Sequence, residues 1–221
     1  MGARSLNPGS IAATADTSAG RGTSTLCAEV AAFTSVAVML SRVWSIDPGL
    51  RATGLADVVD GRVAGAALIR SVATEGWAEW QGPDGVAIEH VIRLGTAWFL
   101  ERPAPTLIVY EWPTIYPGSE ENPNDLPALT AIDLGIVSRL RAAGVIAPAC
   151  PVLARIWTGG TKKSIRHRRW LGDEKSVGTV VGKISDAERA ILEEIRPPHL
   201  RHNTVDACTM GIWVAVRGRG Y

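Results

Sequence analysis

A chain of 221 residues with a formal net charge of +1 is long enough to bury one ordinary core, and it carries no overall basic or acidic field that would announce a charged partner. Its three cysteines, Cys27, Cys150 and Cys208, are far apart and lack a CxxC pair. That argues against a disulfide scaffold or a zinc knuckle and for a reducing, cytoplasmic compartment, with Cys208 a small buried residue in an apolar stretch.

The first 35 or so residues are rich in Ala, Ser, Thr and Gly and hold no sustained period, so residues 1–41 read as a disordered or non-native extension before a domain over residues 42–221. Met39 then lies close to a native start, or the tail is dispensable. The apolar run from Ala28 to Leu40 is interrupted by Thr34 and Ser35. It is too short for a bilayer, and a signal peptide is the weaker alternative, because the run sits far from the start and lacks a clear small-residue cleavage site.

From Trp44 the sequence reads W-S-I-D-P-G-L-R-A-T-G-L-A, an apolar run that climbs to a single acid, Asp47, and turns at once through Pro48 and Gly49. This predicts a buried strand ending in a carboxylate, then a hairpin. An unpaired buried carboxylate is costly, so Asp47 calls for a cation or metal; the alternative is a turn aspartate capping its own loop. Two further runs, Ala52–Val59 and Val63–Ile69, flank Asp60-Gly61, a strong hairpin signal.

Glu75–Gly85 reads as a loop and Val86–Glu101 as an amphipathic helix, with His90 a surface or satisfied histidine. Pro103 and Pro105 stop it. Leu107–Tyr110 is an uninterrupted apolar strand, buried on both faces, that ends in Glu111 and is closed by Pro113. Here again a central strand delivers one carboxylate, or else a strand-end glutamate facing solvent. After a polar loop at Gly118–Pro123, Asn124 or Asp125 caps a helix to about Ala143, in which Asp133 reads as a solvent-face residue. Val145–Val152 reads as a fifth strand, so that a helical crossover joins two parallel strands.

Between residues 155 and 169 stand Arg155, Lys162, Lys163, Arg166, Arg168 and Arg169, with His167 and no acid, interleaved by Trp157, Gly159 and Gly160. In a nearly neutral chain this concentration is the clearest sign of a polyanion. Gly172–Gly182 is a loop. Ser185-Asp186-Ala187-Glu188 reads as a capping box opening a helix to about Ile195, and Pro197-Pro198 ends it. A last apolar helix, Arg201–Val216, carries His202, Asn203 and Asp206 near its start, where Asp206 shares a face with both. A lone Asp there is otherwise a cap favoured by the helix dipole.

The nine residues Ile46–Gly54, I-D-P-G-x-x-x-T-G, closely resemble the opening motif of the RuvC family of Holliday-junction resolvases. The resemblance spans roughly Arg42 to Val216. It implies an α/β, RNase H-like fold: a mixed five-stranded sheet, three antiparallel strands and then parallel ones, with helices on both faces. It further implies a metal-dependent endonuclease that cuts Holliday junctions or other branched DNA with two Mg²⁺ ions, for which Mn²⁺ substitutes, acting as a homodimer without a membrane.

Carried onto this sequence, the resemblance makes Asp47, Glu111 and Asp206 the catalytic acids and metal ligands, with Asn203 or His202 completing the set. Asn203 stands where the family has Asp or His. The segment W-T-G-G-T-K-K resembles the family's lysine-bearing loop. That makes Lys162, Lys163, Arg155, Arg166, Arg168 and Arg169 DNA-binding, with Trp112 and Tyr116 the aromatics available to stack on a base. The position three after Glu111, where the resolvases carry an aromatic wedge, is Thr114. Two rivals stand beside this reading. One is a non-catalytic DNA-binding domain of the same fold; the other is an actin-like ATPase domain, which the length disfavours.

Overall fold

The computed structural model describes residues 40–71, 85–114, 125–159, 165, 167, 170–171 and 184–217. Five strands form one sheet: β1 (Arg42–Asp47), β2 (Ala52–Val59), β3 (Arg62–Arg70), β4 (Leu107–Trp112) and β5 (Ala149–Leu153), in the spatial order β3-β2-β1-β4-β5. The first three pair antiparallel, and β4 and β5 join parallel to β1 and to each other. The helices are α1 (Gly85–Leu100), α2 (Leu126–Ala142), α3 (Ala154–Thr158), α4 (Asp186–Glu193) and α5 (Arg201–Arg217).

The β2–β3 hairpin turns at Asp60 and Gly61, both at positive φ (52° and 77°), as Asp-Gly between apolar runs predicts. β1 lies in the middle of the sheet and is buried on both faces, so its sequence does not alternate.

Two hydrophobic layers sandwich the sheet. On one face Trp44, Ile46, Leu55, Ile108 and Tyr110 meet Val91, Ile92 and Phe99 of α1 and Ile132, Ile136 and Leu140 of α2; Trp44 stacks on Phe99 at 4.7 Å between ring centroids. On the other, Val43, Val58 and Val109 meet Val205, Cys208, Met210 and Ile212 of α5 and Leu192 of α4. Each fully buried large side chain contributes roughly 1.5–3 kcal/mol. α4 opens with the expected capping box. Its Glu188, 2% exposed, also accepts the main-chain N–H of Val63 at 2.9 Å, which ties this helix to the start of β3.

Three expectations need correction. β5 starts at Ala149 rather than Val145: pairing to β4 begins with Ile108 opposite Ala149, and the preceding Pro148 only lends its carbonyl to Ile108 N–H at 2.9 Å. Asp125 occupies the N-cap of α2, but its side chain makes no capping bond. Most consequentially, Asp133 does not face solvent. It is 1% exposed, because it lies three and four positions before Ile136 and Val137 and shares their buried face.

Candidate active site

The sheet brings its two strand acids together. Ile46 pairs with Tyr110 as the last pair of the parallel β1–β4 ladder, so the next residue on each strand, Asp47 and Glu111, stands where that ladder ends, Asp47 opposite Gly54 and Glu111 opposite Val152. Asp47 is 6% exposed. After it the chain bends through Pro48 and Gly49, a loop closed by the buried Thr53, whose hydroxyl lies 3.4 Å from both the N–H and the carbonyl of Gly49. Ser71 donates to the carbonyl of Leu50 at 2.7 Å and fixes the far side of the turn.

The two glycines of the I-D-P-G-x-x-x-T-G motif make room for α5. A Cβ on Gly54 would stand 2.3 Å from the main-chain carbonyl carbon and oxygen of Asn203, and one on Gly49 would stand 2.3 Å from the Asn203 side-chain nitrogen. Any larger residue at Gly54 would force the α5 main chain off the hairpin. The helix is then latched from both sides. Asn203 donates its amide N–H to the carbonyl of Ala52 at 2.5 Å, and the buried Ser45 hydroxyl donates to the carbonyl of Ala207 at 2.6 Å. Ser45 is two residues before Asp47 and on the same strand face, and Ala207 follows Asp206. The latch therefore delivers Asp206, 3% exposed, to the β1 end of the site.

Two of the acids have nitrogen partners that sequence reasoning did not assign to them. Trp157 on α3 donates its indole N–H to Glu111 Oε2 at 3.1 Å, and His167 Nε2 stands 2.8 Å from Asp206 Oδ1. The signal for Trp157 was a lone tryptophan inside a basic stretch; nothing in the sequence linked His167 to Asp206. Beside this pair opens a cavity of about 320 Å³ whose wall includes His167, His199, His202, Arg189, Arg201 and Glu193.

The other expected residues divide. His202 is exposed at the start of α5, with Nδ1 3.2 Å from the carbonyl oxygen of His199, and Asn203 holds Ala52 with its amide. Arg155 is exposed on α3, and Trp112 is 39% exposed with its ring 6.4 Å from that of Tyr110. Tyr116, Lys162, Lys163, Arg166, Arg168 and Arg169 lie outside the described residues.

Carboxylate oxygens from three separate elements are the donor chemistry a hard divalent cation takes. Among the described residues, however, no group of three or more His, Cys, Asp or Glu side chains stands close enough to hold a metal ion. With Glu111 Oε2 turned to Trp157 and Asp206 Oδ1 to His167, an arriving cation would compete with those two nitrogens.

No protein-family profile matches the chain, and no curated protein sequence does. Solved structures match. The chain is similar to T. thermophilus RuvC in complex with Holliday junction substrate, at 16% identity and a TM-score of 0.50, over 80% of this chain and 94% of that one. It is also similar to a second Thermus thermophilus RuvC structure (15% identity, TM-score 0.48, 80% and 95% covered) and to the yeast mitochondrial Holliday junction resolvase Ydc2 (10%, 0.46, 84% and 86%). The mixed five-stranded sheet, three antiparallel strands followed by parallel ones and helices on both faces, is the RNase H-like fold of RuvC.

Proposed function

We propose that this protein is a metal-dependent, structure-selective DNA endonuclease that cuts Holliday junctions or related branched DNA in recombination and repair. The observation that carries the reading is the delivery of Asp47, Glu111 and Asp206 to one end of the sheet by β1, β4 and α5. The T. thermophilus RuvC that shares the fold is bound to a Holliday junction in its structure, which supports that substrate class.

In this reading Asp47, Glu111 and Asp206 would together hold two Mg²⁺ ions. Such ions activate a water for in-line attack and stabilise the leaving oxygen. The protein's own residues do the rest. Trp157 and His167 orient Glu111 and Asp206, and the burial of Asp47 strengthens its charge interactions by lowering the local dielectric. Arg189, Arg201 and the histidines of the neighbouring cavity, with the basic stretch from Arg155 to Arg169, supply cations for the DNA backbone. Paired cuts across a symmetric junction call for a homodimer. No described helix is long and apolar enough to cross a membrane, and the cytoplasm is the proposed compartment.

Two observations favour the second reading, a DNA-binding domain without catalysis. Asn203 spends its amide on Ala52, and the described acids do not converge into a three-donor cluster.

A nicking assay separates the two. Purified protein is given a four-way junction, a flap, a duplex and a single strand, each with Mg²⁺, Mn²⁺ or EDTA. Metal-dependent paired nicks on the junction, abolished by Asp47→Asn while junction binding persists, are expected. Tight binding with no cleavage under either metal would establish the non-catalytic reading.

A further inference from the structure

Two arginines in the wall of the cavity beside Asp206 are held in place without being neutralised. Arg201, the first residue of α5, donates from Nε to the carbonyl of Ile195 at 3.1 Å and from Nη2 to that of Glu193 at 3.3 Å. Arg189 on α4 donates from Nη2 to the carbonyl of Leu171. Both are partly buried, and among the described residues neither guanidinium has a carboxylate within ion-pair distance.

A main-chain carbonyl is a dipole, so it orients a guanidinium and leaves the full charge in place. Partly burying such a charge without a counter-charge is costly. Each guanidinium also has five N–H donors in a fixed fork, and the carbonyls use only some of them. Oriented, unneutralised forks with donors to spare suit a phosphate, which they grip bidentately. The cavity, about 320 Å³, falls at the small end of ligand pockets and is backed by the buried apolar Leu192 and Val205, so it has room for the sugar that an esterified phosphate carries. His167, 2.8 Å from Asp206, lines it too, which sets the cavity against the proposed catalytic centre. Glu193, the one acid of the lining, is exposed and opposes an anion.

We propose that this cavity is a binding site for a phosphate ester, anchored by Arg189 and Arg201: a backbone phosphate of a DNA strand passing Asp206, or the phosphate of a free nucleotide. Neither arginine belongs to the basic stretch between residues 155 and 169. In its DNA form the inference rests on the reading of the protein as a DNA endonuclease; in its nucleotide form it does not.

The test is run in EDTA, so that metal plays no part. Binding of deoxyadenosine monophosphate by calorimetry, and of a labelled four-way junction, is measured on the full-length protein and its Arg189→Gln, Arg201→Gln and Glu193→Gln variants, with the melting temperature of each. Loss of either guanidinium should weaken binding about tenfold. Glu193→Gln should tighten it, and at an exposed position this variant keeps the test open if an arginine variant does not fold. Junction affinity that follows the variants, with the mononucleotide competing, identifies DNA as the source of the phosphate. Mononucleotide affinity that follows them while junction affinity stays level identifies a free nucleotide. Both affinities within about twofold of wild type in every folded variant would overturn the proposal. A wild type that binds no junction would overturn the DNA reading alone, and the mononucleotide series would then decide this inference by itself.

Discussion

Asp206 Oδ1 stands 2.8 Å from the ring Nε2 of His167, a residue 39 positions earlier in the chain and inside its most basic stretch. The contact fixes the orientation of the helix-borne acid and joins the basic stretch to the proposed catalytic centre. His167→Phe keeps a ring and removes the nitrogen. It should lower cleavage about 10–100-fold and change the unfolding free energy by only about 1 kcal/mol. Nicking rates and urea denaturation measure the two, and unchanged nicking would take His167 out of the site.

Gly54 makes a sharper structural prediction. An added methyl would meet the Asn203 carbonyl at 2.3 Å, and main chain cannot rotate out of the way. Gly54→Ala should destabilise the protein by about 1–3 kcal/mol. Replacing an ordinary strand glycine by alanine would stabilise instead, so the sign read from chemical denaturation tells whether α5 docks this closely.

Asn203→Asp tests whether this position is a latch. The change removes the amide donor to Ala52 and sets a carboxylate oxygen against a carbonyl. In EDTA the variant should lose about 1–3 kcal/mol. A variant as stable as wild type would show that the amide does not hold α5.

Asp133 predicts a pH dependence. Burial first, then Asp47 and Glu111, raise its pKa well above the usual carboxylate range, and it in turn helps raise that of Tyr110. In the unfolded chain Asp133 ionises near pH ~3.9. Above that value the native state binds the extra proton, so this contribution to stability is fully present at lower pH and is lost as pH rises through the folded value. Asp57, raised by burial against the pull of Arg42 and Arg102, acts in the same direction. In EDTA the urea midpoint of wild type should therefore carry a component that falls as pH rises above about 4. Asp133→Asn should shrink that component and be the more stable protein at neutral pH; parallel curves would show that Asp133 does not carry it.

The basic stretch predicts a salt effect. Replacing Lys162 and Lys163 by Ala should weaken binding to every DNA sequence alike and reduce the slope of log K against log salt by roughly 0.7–0.9 per lost phosphate contact. Filter binding across a salt series measures it, and an unchanged slope would move the DNA path elsewhere.

What the sequence determined by itself is whatever follows from local pattern. An apolar strand that breaks into one acid and a turn marks Asp47 and Glu111, because a central strand is buried along its length and only its end can carry charge. Asp-Gly sets the β2–β3 hairpin through positive φ, and the capping box opens α4. Asp133 reads from the sequence as a solvent-face residue, although it stands three and four positions before the buried Ile136 and Val137. Its charge argued for solvent, and burial of a charge is decided by what lies opposite, which no local pattern records. Tertiary structure alone decided that Gly49 and Gly54 admit α5, that Asn203 latches it to Ala52, that Trp157 reaches Glu111 across 46 positions, and that His167 meets Asp206. Those contacts join residues far apart in the chain, and they depend on how closely helix and sheet approach rather than on any periodicity along either.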